Sequence, residues 1–149
     1  MRVVKFDDYG SLDALHVAEV ETPKPGPGQL RLKVVAAGVN PADGKWRSGM
    51  FKDFLPIPLP HIPGYDVAGI VDEVGSGVTG YKKGDRVASL LGNTTHGGYA
   101  EYAICEASAS SKVPEGVDLV VAAALPVASL TAAQMIEEHI KPAKGETIL

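Results

Sequence analysis

Residues 63–87 read PGYDVAGIVDEVGSGVTGYKKGDRV, with six glycines placed around two β-rich runs. Tyr65 to Val74 is expected to be a strand lying close against other backbone, because Gly64 and Gly69 carry no side chain. Gly75-Ser76-Gly77 predicts a tight turn that supplies positive φ. Lys83-Gly84-Asp85 predicts a second turn, opening a strand from Arg86 to Leu91.

Before this stretch, Arg2 to Phe6 and Leu15 to Val20 read as short strands joined through a turn at Asp8-Tyr9-Gly10-Ser11. Leu30 to Ala36 alternates cleanly, so Leu30, Leu32, Val34 and Ala36 are expected on one face, with Arg31 and Lys33 on the other. Asn40 then suits a helix N-cap and Pro41 the first helical position, with Asp43 near the positive end of the dipole. Gly49 stops that helix, and the prolines at 56, 58, 60 and 63 predict a loop. Beyond the signature, Gly97 to Ala103 reads as a strand after a glycine turn, continuing to Cys105. After Pro114 the pattern turns helical. A short helix from Leu119 to Leu125 is expected to end at Pro126. Ser129 is expected to cap a longer one that buries Leu130, Ala133, Ile136 and Ile140. Thr147-Ile148-Leu149 looks like the start of a strand.

The chain has 149 residues, enough for one domain or a little more, and 45% of it is apolar. A net charge of −4 and no basic cluster argue against nucleic acid or an anionic membrane as partner. The single cysteine, Cys105, excludes an internal disulfide and suits a reducing compartment; it reads as a buried, inert thiol. The N-terminus carries no apolar h-region, and the run from Val117 to Ala133 is too polar to span a bilayer. The expectation is a cytoplasmic protein. The four histidines, His16, His61, His96 and His139, lack ligand spacing and read as surface or loop residues.

Six blocks in order resemble the N-terminal part of zinc-independent medium-chain dehydrogenases/reductases of the quinone oxidoreductase-like branch. They are AAGVNPAD (36–43), PGYDVAGIV (63–71), KKGDRV (82–87), GGYAEYA (97–103), LPVASLTAAQ (125–134) and KGETIL (144–149). The resemblance implies a mainly β fold with short helices: a GroES-like, partly open β-barrel over 1–117. Residues 118–149 would be the first helix and strand of a truncated Rossmann α/β domain. The only G-x-G-x-x-G spacing, Gly75 to Gly80, lies between two expected strands with no helix after it, so it reads as a turn and not a dinucleotide loop.

Zinc-using relatives place a cysteine in the slot of Asn40, a histidine in that of Tyr65 and a cysteine near Val127, while a glutamate matches Asp66. Asn40 and Tyr65 are poor Zn²⁺ ligands and Val127 is none, so no metal is expected. Without zinc, hydride transfer to a quinone or enone needs hydrogen-bond donors at the developing oxyanion. In matching positions these are Asn40 and Tyr65. The resemblance also puts Asn40, Asp43 and Thr131 near the nicotinamide end of the cofactor, NADPH or less plausibly NADH, with Thr131 at a helix start. Plainer readings stand beside these: Asn40 as a helix cap, Asp43 as the cap's completion, Tyr65 as packing, Thr131 as an ordinary first-turn residue of an alanine-rich helix. Asp85 and Glu101 are assigned to turn and barrel hydrogen bonds, and Lys45 and Arg47 to a solvated helix face.

The function expected is NADPH-dependent reduction of a small-molecule quinone or α,β-unsaturated carbonyl, with this chain alone inactive. The alternative is a non-catalytic GroES-like binding or scaffold module. An apolar strand start at Ile148-Leu149 would invite self-association, so a homo-oligomer is expected.

Overall fold

A computed structural model describes residues 1–92 and 97–148. Its main sheet is antiparallel throughout. The strands are β3 (Gln29–Gly38), β4 (Asp66–Val74), β5 (Arg86–Leu90), β6 (Tyr102–Glu106) and β7 (Ser110–Lys112), in the order β6-β3-β4-β5-β7. Two earlier strands, β1 (Arg2–Lys5) and β2 (His16–Glu19), pair with each other and touch the rest through the bridges Val3–Ala100 and Phe6–His61. The outer strands β6 and β7 are separated in sequence only by the 3₁₀ turn Ala107–Ala109. Flat, five strands would hold them about 19 Å apart. The chain from Glu106 to Ser110 reaches about 14 Å at most. The sheet must therefore curl, and it forms a partly open barrel.

The barrel interior holds Leu30, Leu32, Val67, Val71, Val87, Leu91, Ala103 and Cys105. Alternation in β3 holds only as far as Val34. Ala36 packs on the opposite face, beside Ala68, while Ala37 turns inward. A register shift between Val34 and Ala36 is the cause: the extra residue reverses the phase of every side chain that follows. In the turn after β4, positive φ falls on Gly77 and not Gly75. Gly75 serves close approach instead, since a Cβ there would meet the Gly26 carbonyl at 1.9 Å. Gly75 to Gly80 joins β4 to β5, as a turn should.

On the barrel's outer face, α2 (Leu119–Ala122) seats Leu119, Ala122 and Ala123 on Ala68. The C-terminal helices differ from expectation. Pro126 does not end a helix; it occupies the first turn of α3 (Pro126–Gln134), where its missing N–H costs nothing. Ser129 lies inside α3, its hydroxyl donating to the Leu125 carbonyl at 2.5 Å. A π-helical segment, Met135–Ile140, follows and ends at Lys141 with φ 46°. The expected buried face is not formed: Leu130, Ile136 and Ile140 are 48%, 43% and 46% exposed. Thr147 and Ile148 form no strand; Leu149 and His96 lie outside the described residues. The strand expected from Gly97 starts only at Tyr102, after a lone bridge at Ala100. Cys105 is buried, and burial pushes its thiol up. No helix among the described residues is long and apolar enough to cross a membrane.

Candidate active site

Asn40, in extended backbone at φ −116° and ψ 152°, caps α1 (Pro41–Arg47), and Pro41 opens it. Asn40 and Asp43 form a capping box, in which the Asp43 carboxylate accepts from the Asn40 N–H at 2.7 Å. Asp43 is 6% exposed and takes two further bonds, from the Gly64 N–H at 3.0 Å and the Tyr99 hydroxyl at 3.2 Å. The plain reading of Asp43 is thus realised, and it extends beyond α1: one carboxylate ties the helix start to the loop before β4 and to the GGYAEYA segment.

Side chains alternate along β4, so Val67 and Val71 enter the barrel while Asp66, Ala68 and Ile70 face α2 and α3. Asp66 is 1% exposed. Its carboxylate accepts from the Asn40 side-chain amide at 2.9 Å and from the Val127 N–H at 2.9 Å. Three of the positions that matched zinc-ligand slots therefore converge, but as one carboxylate, one amide donor and one backbone N–H. That donor set does not fit a tetrahedral nitrogen–sulfur site. Among the described residues no cluster of His, Cys, Asp and Glu could hold a metal.

Tyr65 points away from Asp66 and packs with Phe6, Trp46 and Ile57. Its buried hydroxyl has no hydrogen-bond partner among the described residues. Burial raises its pKa well above the ordinary phenol value, and the Asp43 charge adds to the shift. It is therefore a protonated donor at neutral pH. Replacing Tyr65 with Phe is expected to raise stability by about 1 kcal/mol, because an unsatisfied buried group disappears. Urea unfolding checks this; a destabilised Tyr65→Phe would mean that the hydroxyl is already satisfied.

Burial raises the Asp43 pKa above 3.8, and the hydrogen bonds from Asn40, Gly64 and Tyr99 pull it back. With the folded value above the unfolded one, Asp43 favours folding most below pH 3.8. That contribution is lost as pH rises through the folded value. A carboxyl NMR titration is expected to place the Asp43 midpoint above 3.8. Tyr99→Phe should move it further up, because one bond to the charged form is removed. A downward movement would contradict the arrangement.

Thr131 lies well inside α3 and is exposed, not at a helix start as expected. Lys45 is solvated, whereas Arg47 bonds the Gly10 carbonyl at 3.4 Å. Asp85 accepts from the Lys82 N–H and pairs with Lys112, while Glu101 pairs with Arg2, the roles assigned to them. His61 is not a surface residue: it is 3% exposed with its ring against Phe6. Sequence reasoning missed Tyr99 as the partner of Asp43, although the tyrosine sits in one of the six blocks. Asn40, Asp43 and Tyr99 line one cleft of about 280 Å³, walled by Leu12, Leu15 and Pro63.

Residues 26–115 match the alcohol dehydrogenase GroES-like domain. The chain is 41% identical over 139 residues to the chloroplastic quinone-oxidoreductase homolog of Spinacia oleracea, covering 93% of this chain and 42% of that protein. It is 40% identical over 139 residues to the chloroplastic NADPH-dependent alkenal/one oxidoreductase of Arabidopsis thaliana, covering 89% of this chain and 36% of that one. A mycobacterial protein solved in complex with NADPH superposes with a TM-score of 0.89 at 34% identity, covering 98% of this chain and 44% of the other. The chain thus spans less than half the length of these relatives.

Proposed function

Because the chain belongs to the alcohol dehydrogenase GroES-like domain family and resembles the N-terminal part of its quinone oxidoreductase-like members, we propose that it is the substrate-side portion of a zinc-free, NADPH-dependent reductase of quinones or α,β-unsaturated carbonyls. The observation that carries the reading is Asn40: Asp66 and the capping box hold its amide, leaving a second amide hydrogen for a substrate oxygen at the cleft. Relatives bearing quinone and alkenal names support the substrate class, and the NADPH complex supports the cofactor.

When bound, NADPH supplies the hydride that reaches the electrophilic carbon. Negative charge then develops on the carbonyl oxygen, where preorganised donors act most strongly. Asn40 is assigned that role through its second amide hydrogen; the Tyr65 hydroxyl, buried beside Phe6, Trp46 and Ile57 and outside the cleft lining, is not. Asn40 and the exposed Thr131 hydroxyl are assigned to the nicotinamide end of the cofactor. Asp43, its oxygens committed to three donors, orients the start of α1 rather than reacting.

Residues 1–117 are assigned to the catalytic domain and 118–149 to the entry of a nucleotide-binding domain. The exposed Leu130, Ile136 and Ile140 on α3 and its π-helical extension support this division, as apolar surface that further structure would cover. The 149 residues alone are expected to turn over poorly, because catalysis requires a fully held cofactor. The test is calorimetry of NADPH with the wild-type chain, Asn40→Ala and Thr131→Ala. Measurable binding, weakened about tenfold by each change, supports the reading. Binding unchanged in both variants would remove the cofactor role from both residues, and no binding at millimolar NADPH would make these 149 residues a fragment or binding module rather than a catalyst.

A further inference from the structure

The helix α1 presents Asn40, Asp43, Gly44 and Arg47 to the 280 Å³ cleft, the spacing of a single helix face. Two of these residues are unexplained by the fold. Gly44 lies in the helix interior, where glycine weakens a helix relative to alanine. Neither strain nor crowding requires it: its φ is not positive, and a Cβ built there meets nothing within 4 Å. What a side chain at 44 would do is narrow the cleft. Arg47 is partly buried at the far end of the same face. Its side chain donates from Nε to the Gly10 carbonyl at 3.4 Å and forms no ion pair among the described residues. Asp43, one turn earlier, takes its three hydrogen bonds from Asn40, Gly64 and Tyr99 and none from Arg47. The guanidinium is thus a forked cation with no ion pair among the described residues, at one end of a slot whose walls are Leu12, Leu15, Val39 and Pro63.

We propose that this slot binds a flat apolar molecule carrying a carboxylate, with Gly44 as its bare floor and Arg47 holding the anion. Asn40 and Arg47 lie about 10 Å apart along the helix, so the carbonyl of an enone and a carboxylate at the opposite end of one aromatic ring reach both. Only the carbonyl end rests on the reductase reading; the Gly44 and Arg47 end stands without it. Arg suits the task because its planar fork meets a carboxylate bidentately.

The test is calorimetry of the chain with 4-phenylbut-3-en-2-one, with its para-carboxylate, and with 4-butylbenzoate, which keeps the acid and lacks the enone. The para-carboxylate is expected to bind about tenfold more tightly than the neutral enone. Arg47→Gln should erase that ratio, and Arg47→Lys should keep part of it. Gly44→Leu should raise Tm by a few degrees, about 3 °C, yet weaken the para-carboxylate at least tenfold. A structural glycine would not give this combination. Equal affinity for acid and neutral enone, a ratio that survives Arg47→Gln, unchanged binding in Gly44→Leu, or no saturable binding by any of the three would each overturn the proposal. Binding of 4-butylbenzoate as tight as that of the para-carboxylate, insensitive to Asn40→Ala, would instead leave this slot standing and remove the carbonyl role of Asn40.

Discussion

Gly69→Ala is expected to cost about 3 kcal/mol of folding stability, a large share of what holds a small domain folded. Gly69 pairs with Val34 of β3 on one side and Val87 of β5 on the other, at the centre of the curled sheet. A Cβ at this position would stand 2.3 Å from the Lys33 carbonyl oxygen and 3.0 Å from its carbon. Both obstacles are backbone, so no rotamer change relieves the clash. Strand β3 would have to move, and it also carries β6. The contrast is Gly44→Ala, where a Cβ meets open space and stability should rise. Urea unfolding of the two variants side by side checks the pair; a Gly69→Ala midpoint equal to wild type would show that β3 yields freely.

Asp66→Ala has the second large effect, again about 3 kcal/mol, because removing a buried acceptor leaves its donors unpaired. The donors are the Asn40 amide and the Val127 N–H, and each loses the carboxylate oxygen that it bonds. Asp66→Asn keeps the shape but turns an NH₂ toward one donor, so it should cost roughly half as much. Since Asp66 joins the start of α1 to the start of α3, Asp66→Ala should also loosen Asn40, and amide hydrogen exchange near residues 40–43 and 127–131 should speed up together. Faster exchange at only one of the two segments would mean that the carboxylate does not couple them.

The barrel followed from the family resemblance, and its strands were legible because they alternate and their turns carry glycine. Those are local signals, and β3, β4 and β5 fall where the pattern puts them to within a residue or two. The cap at Asn40 and Pro41 was equally local. Reading failed where the deciding contact was distant. Nothing between Leu30 and Ala36 announces the register shift at Val35, because it concerns how β4 pairs alongside. Pro126 is as consistent with ending a helix as with beginning one, and the Val127 N–H bond to Asp66, 61 residues earlier, belongs to the starting helix. Ser129 looks like a cap in isolation, yet it sits within a helix already under way.

From the residues alone came the strands and their order along the chain and the cap on α1, which rest on neighbours a few positions apart, and the family resemblance, whose six blocks implied the class of fold. Tertiary structure alone decided that Asp43 collects donors from three segments and that the Tyr65 hydroxyl is buried without a partner among the described residues. It also decided that Asp66 holds Asn40, and that Gly44 and Arg47 face one cleft. Side-chain chemistry is written in the sequence, but desolvation and hydrogen-bond geometry depend on which distant groups the curled sheet brings within 3 Å.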